Sequence, residues 1–302
     1  MPEIPDITVY IERLEDILIG KPLEELRIAS PFVLRTAVPP TCELIGKTVC
    51  EVRRLGKRIV LGLQDELFII IHLMVSGRLH WKKRGISVPK RNGLAAFDFP
   101  TGTLIFTEAS TRKRASLHVV QGEHDLSNLD PGGLEVLDAT FVAFRKRLRL
   151  ENHTLKRALT DPHIFSGIGN AYSDEILHCA RLSPVKQTKT LSADEERTLF
   201  RATQNTLTMW IQRLRQETGT GFPEKVTAFR KEMAVHGRFR LPCPDCGKSV
   251  QRIVYAQNEA NYCPRCQNDG KLLADRSLSR LLKKNWPKNL EELEMRNQRV
   301  VK

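Results

Sequence analysis

At 302 residues, with about 150 residues to a domain, the chain has room for two domains that each bury a core without disulfide help. Lys and Arg number 48 against 35 Asp and Glu, and the formal charge of +13 suits either a polyanionic partner or a merely well-solvated basic surface. With 41% hydrophobic and 27% charged residues the composition excludes a disordered chain, and no apolar stretch reaches the roughly 18 residues of a membrane span.

The start, MPEIPDITVY, has acids and prolines where a secretory peptide has a basic and then an apolar segment, so an intracellular protein is expected, without a membrane partner. Ile7, Ile11, Leu14 and Leu18 recur at spacings of three and four, which predicts a helix ending at Gly20. From Leu23 to about Val120 the texture changes to short β-branched and aromatic runs: KTVCEV, RIVLGL, ELFIIIHL, LAAFDF, TLIFTE and ASLHVV. They are separated by Gly, Pro and Asn, and together predict a sandwich or barrel.

Leu129 to Gly133 (LDPGG) punctuates the chain, and beyond it helices are expected over roughly 139–150, 154–159, 170–180 and 193–216. Residues 219–238 read as a loop. The tail after the last cysteine carries Leu278, Leu281 and Leu282 among Lys and Arg, the pattern of a short basic helix.

Seven cysteines, an odd number, argue against a full disulfide framework. Cys243-x2-Cys246 and Cys263-x2-Cys266 are separated by 16 residues, a spacing that suits one tetrahedral structural zinc spanning a β-hairpin; the plain alternative is four buried or redox cysteines.

The N-terminus carries a second signal. Removal of Met1 would leave the secondary amine of Pro2, able to attack a sugar anomeric carbon, with Glu3 beside it to move protons; otherwise Met-Pro-Glu is only a common start. In Phe165–Leu177, Gly167 and Gly169 form a turn and Asn170 opens a helix, either an ordinary cap or a seat for a phosphate on exposed N–H groups.

These features in this order resemble the formamidopyrimidine-DNA glycosylase and endonuclease VIII family, from residue 2 to about residue 267. The resemblance implies an α+β protein: an N-terminal β-sandwich flanked by helices (1–130), a helix-two-turns-helix domain (131–238) and a zinc hairpin (239–267), followed here by a basic extension (268–302). It also implies a monomer that acts on double-stranded DNA containing damaged bases or abasic sites. The implied chemistry is base-excision repair: a flipped damaged nucleotide, attack by Pro2 at C1′, ring opening assisted by Glu3, and strand cleavage by elimination from the iminium. A cytoplasmic or, in a bacterium, nucleoid-associated location follows.

By the same resemblance Lys57 and Asn170 contact a phosphate at the lesion, with Lys156 and Asp161 upstream of the turn fitting the pattern. In the segment His72-Leu-Met-Val-Ser-Gly77, Val75 stands in the column of the family's gap-filling methionine and Met74 replaces a glycine; either is a wedge or simply core.

Three departures stand out. Asp6 replaces the usual Glu four residues after the proline. The family's Arg-Arg-Phe-Gly becomes Ser110-Thr-Arg-Lys-Arg-Ala-Ser116, in which Arg112 or Arg114 reaches either the opposite base or a phosphate. Asn258 stands where the hairpin arginine grips phosphates, without charge or a bidentate fork.

The leading expectation is a glycosylase with AP-lyase activity, weakly favouring oxidised purines such as 8-oxoguanine and formamidopyrimidine because of the loop from Gly219 to Val235. The rivals are a catalytically weakened binder of damaged or structured DNA and a glycosylase for oxidised pyrimidines. A zinc-ribbon RNA-binding protein leaves Pro2 and Glu3 unexplained.

Overall fold

The structure is a computed structural model that describes residues 1–224, 226–227, 229–255, 258–274, 287–293 and 295, with only the backbone of Tyr255 and Asn258. The chain divides into two compact units: Met1–Gly133 with Thr208–Ala228, and Leu134–Leu207 with Phe229–Lys302.

The first unit opens with α1 (Ile4–Leu18). Pro5 in its first turn supplies a preset φ at a position where the missing N–H costs nothing. Ile7, Tyr10, Leu14 and Leu18 form its apolar face, and Gly20 at φ +74° ends it, as the spacing predicts. Eight strands follow. β1 (Glu25–Ile28), β6 (Gly93–Phe99), β7 (Gly102–Glu108) and β5 (Gly77–Lys82) form one antiparallel sheet in the order β1-β6-β7-β5. β2 (Val49–Leu55), β3 (Arg58–Leu63), β4 (Leu67–His72) and β8 (Ser116–Gln121) form the other, in chain order.

Strand periodicity divides the second sheet between two cores. Leu61, Ile69, Ile71, Leu117 and Val119 join α1 and the first sheet in the main core. Val60, Phe68, Ile70 and Val120 face the other way, against Leu126 of the short helix α2 (Glu123–Ser127). Covering both faces accounts for the unbroken apolar run in β4. The sequence reading missed β1 and β5: β1 is only four residues long, and β5 (GRLHWK) alternates with His and basic residues.

The second unit has α3 (Phe141–Leu148), α4 (Leu155–Thr160), α5 (Asn170–Cys179) and most of α6 (Ala193–Thr218), whose last residues belong to the first unit. Thr140 and Thr154 cap α3 and α4 by accepting the amides of Ala143 and Arg157. Phe144 stacks on Phe165 at 4.7 Å and meets Phe200 at 5.3 Å. The hairpin β9 (Gln251–Tyr255) and β10 (Asn258–Tyr262) leads into α7 (Pro264–Asn268).

Among the described residues, 219–238 holds no helix or strand, as expected, and no helix is long and apolar enough to cross a membrane. The segment around Leu278–Leu282, expected as a basic helix, lies outside the described residues. The tail returns to the hairpin end: Leu272 N–H donates to Lys288 O at 2.9 Å, Lys271 bridges Asn289, and Leu290 is buried.

The turn from Leu73 to Gly77 is closed by Gly77 N–H donating to Leu73 O at 2.8 Å. A Cβ on Gly77 would lie 2.2 Å from that same carbonyl oxygen. Gly77→Ala is therefore expected to cost about 2–3 kcal/mol, in the range of overpacking strain, read as a lower urea midpoint with an unchanged m-value.

Candidate active site

Glu3 is the N-cap of α1, with extended backbone, and it forms a reciprocal box with Asp6. The Glu3 side chain accepts the Asp6 amide, while Glu3 N–H donates to Asp6 Oδ2 at 3.1 Å. Asp6 is thus long enough for the capping role that a Glu normally fills. Pro2, Glu3 and Asp6 are all buried.

Burial holds the terminal ammonium of Met1 below its ordinary value, opposed by the carboxylates of Glu3 and Asp6 and assisted by the charges of Arg78 and Lys57. Arg78 was not singled out from the sequence, where it reads as one cation in a basic run. It sits at the start of β5 and donates to Gly77 O at 2.6 Å. Lys57 lies with Gly56 (φ +61°) in the two-residue turn joining β2 to β3, where Leu55 pairs with Arg58.

His72 lies across the ladder from Arg58. Burial, then the charges of Arg58 and Lys57, push its pKa down to about 4, so the ring is neutral at physiological pH. In the adjoining turn Met74 has φ +50° and is half-buried, whereas Val75 is 62% exposed. A methionine in the left-handed region pays a strain that a glycine in that column avoids.

Arg112 and Arg114 are both exposed. Their loop is held by buried Glu108, whose carboxylate accepts the amides of Arg114 at 2.9 Å and Ala115 at 3.1 Å. Several cations of the chain are paired within their own unit. Arg84 meets Glu24, Lys82 meets Glu224 at 2.8 Å, and Arg145 and Arg149 both bind the fully buried Glu196.

In the second unit Gly167, at φ +74°, and Gly169, the N-cap, are buried and carry the chain into α5, whose first residue is Asn170. Lys156, which the resemblance places in the pattern upstream of the turn, is only 4% exposed. Its ammonium donates to Asn170 O at 2.7 Å, Ser173 Oγ at 2.8 Å and Asp174 Oδ1 at 2.5 Å. Lys156 therefore builds the turn from inside. Asp161 caps the end of α4 and accepts His163 N–H at 2.9 Å. Asp174 also accepts from His236 Nδ1 at 2.8 Å and Asn261 Nδ2 at 3.1 Å. The sequence offered a signal for none of these partners, because all are distant in the chain.

The four expected zinc ligands come together, with the Sγ atoms of Cys243, Cys246, Cys263 and Cys266 within 4.8 Å of one another. The Cys246–Cys263 and Cys243–Cys266 separations are 3.4 and 3.9 Å. A tetrahedral zinc with bonds of about 2.3 Å needs sulfur separations of about 3.8 Å, so the residues fit one structural ion. Burial pushes the Cys263 thiol up to about 11, and the cation is what stabilises its thiolate form. Asn258 opens β10 opposite Tyr255, and its side chain lies outside the described residues.

A sandwich whose first helix buries its N-terminal Pro-Glu, joined to a glycine-turn helical unit with a four-cysteine hairpin, defines a class with known members. Family models match in chain order: the formamidopyrimidine-DNA glycosylase N-terminal domain over residues 1–117, its H2TH domain over 133–221, and the zinc finger found in FPG and IleRS over 240–268. The formamidopyrimidine-DNA glycosylase of Thermus thermophilus is 30% identical over 283 residues, covering 89% of this chain and all of that protein. An uncharacterized formamidopyrimidine-DNA glycosylase-like protein of Mycobacterium tuberculosis is 42% identical over 151 residues, covering 50% of this chain and 94% of its own. The wild-type Lactococcus lactis Fpg, solved in complex with an oxidized-pyrimidine-containing DNA, superposes with a TM-score of 0.78 at 25% identity, covering 88% of this chain and 100% of that one. The chain belongs to the formamidopyrimidine-DNA glycosylase family.

Lys156→Met is expected to cost about 3 kcal/mol, because a buried carboxylate loses its cationic partner. Replacing Asp174 by an apolar residue as well should not recover that loss, because buried His236 and Asn261 would then lack their acceptor. Urea unfolding of the two variants measures both effects.

Proposed function

We propose that the protein is a base-excision DNA glycosylase with AP-lyase activity. The observation that carries this reading is the start of α1: a half-buried amino terminus followed by buried Pro2 and by Glu3 fixed as the N-cap, with Lys57 and Arg78 close enough to act on the terminal charge. The reading requires removal of Met1, which makes the amine that of Pro2.

The neutral Pro2 nitrogen attacks C1′ of the flipped nucleotide; the C1′–N bond breaks and the base leaves with a proton. Glu3 delivers a proton to O4′ as the ring opens, and the nitrogen lone pair forms the iminium. Loss of a C2′ proton then expels the 3′ phosphate, and water releases the sugar from the amine. Asp6 acts as a positioning residue, holding the Glu3 backbone. Burial lowers the pKa of the Met1 amine in this structure, and the same enclosure around buried Pro2 would favour the neutral form of the amine once Met1 is removed.

Lys57, Asn170 and the amides of the Gly167–Gly169 turn bind phosphates of a damaged or abasic duplex. Exposed Val75, supported by Met74, fills the gap left by the base. Arg112 and Arg114 approach the opposite strand, and Asn258 contributes a neutral contact where the family has an arginine. Oxidised purines are the preferred substrates, on the strength of the long 219–235 segment. Two departures favour a second reading, a weakened enzyme that chiefly binds damaged DNA: Asn258, and the replacement of Arg-Arg-Phe-Gly.

Met-processed protein mixed with 8-oxoguanine, oxidised-pyrimidine or abasic duplex and borohydride should yield a covalent adduct, with the 8-oxoguanine duplex consumed faster than the pyrimidine one. Adduct formation should rise with pH through a midpoint below the ordinary terminal-amine value of about 8. Pro2→Gly should abolish base excision, and Glu3→Gln should slow it by about 10²–10⁴-fold. Retained DNA binding without any adduct would establish the second reading.

A further inference from the structure

His178 lies one turn beyond Asp174 on α5, is 4% exposed, and takes no part in the chemistry above. Its Nε2 stands 3.3 Å from Cys243 Sγ, and Cys243 is itself 2% exposed. Asp245 and Cys266 also place donor atoms within 4.8 Å of His178, so the imidazole stands at the rim of the four-sulfur cluster.

A zinc-bound cysteine is a thiolate, which can only accept; Nε2 must then carry the proton and donate. An N–H···S bond of this kind, shielded from water, withdraws charge from the sulfur and fixes its direction, as outer-shell partners do at metal sites. The carrier of this bond is also tied to the segment before the cysteines and to the hairpin. Glu175 accepts the amides of Ala234, Val235 and His236 at 2.7 to 2.9 Å, and Asp174 accepts from Asn261 of β10.

We infer that His178 is an outer-shell partner of the zinc, donating Nε2–H to the Cys243 thiolate and coupling the metal site to the helix that begins at Asn170. The inference concerns the metal and not the lesion, so it stands or falls separately from the glycosylase reading.

The test compares full-length holoprotein with His178→Gln, His178→Phe and His178→Asn. Gln places an amide N–H near the position of Nε2; Phe fills the space without a donor, and Asn is too short to reach. With zinc bound, transfer of the metal to a chromogenic chelator should be about tenfold faster in the Phe and Asn variants and near wild type in Gln. With cobalt(II) substituted for zinc, the sulfur-to-cobalt charge-transfer band should move to longer wavelength in Phe and Asn, because the sulfur regains charge, and stay in place in Gln. A wild-type release rate and band in either Phe or Asn would overturn the assignment. So would faster release that Gln fails to rescue, since that marks a packing defect; if Phe does not fold, Asn and Gln alone decide.

Discussion

One buried carboxylate organises the second unit. Asp174 is fully enclosed, and an ionised carboxylate there is tolerable only while its oxygens are occupied by donors. Three donors meet it, each from a different part of the chain. Lys156 brings α4 together with the carbonyl of Asn170, His236 brings the irregular segment before the cysteines, and Asn261 brings β10. The Gly167–Gly169 turn and the metal hairpin are therefore fixed by the same acid, and the hairpin, too small for a core of its own, borrows order from it as well as from the metal.

The first unit follows a different economy. Its stability comes from apolar residues in two cores on either side of one sheet, and polar precision is confined to a few places. One is the start of α1, where Glu3 and Asp6 satisfy each other's amides and so fix the acid beside the amino terminus. Another is Glu108, which holds two backbone amides of the loop bearing Arg112 and Arg114. Ion pairs such as Lys82–Glu224 and Arg84–Glu24 fix individual cations within this unit and leave the net excess of positive charge unchanged.

Local pattern carried much of this into the sequence. The 3.6 periodicity of α1, its stop at Gly20, six of the eight sandwich strands and the cysteine spacing are all short-range signals. β1 and β5 were hidden by brevity and by alternating polar residues. Lys156 misled for a deeper reason: a lysine on a short helix reads as solvated, and only the fold reveals that Asp174, 18 residues on, draws its ammonium inside. His178 was equally silent, because its neighbour Cys243 is 65 residues away.

The first unit is discontinuous: residues 208–228 return to it after the whole stretch from 134 to 207 has been laid down elsewhere. That returning piece is not decoration, since Val226 is buried in the main core and Phe222 lies 5.7 Å from Tyr10. On a ribosome, the sandwich would wait with part of its apolar surface uncovered while four helices are synthesised, and the acid at position 174 would wait longer still for Asn261. Closures over so many residues are slow, and the apolar surface they leave uncovered is open to association while the chain is being made.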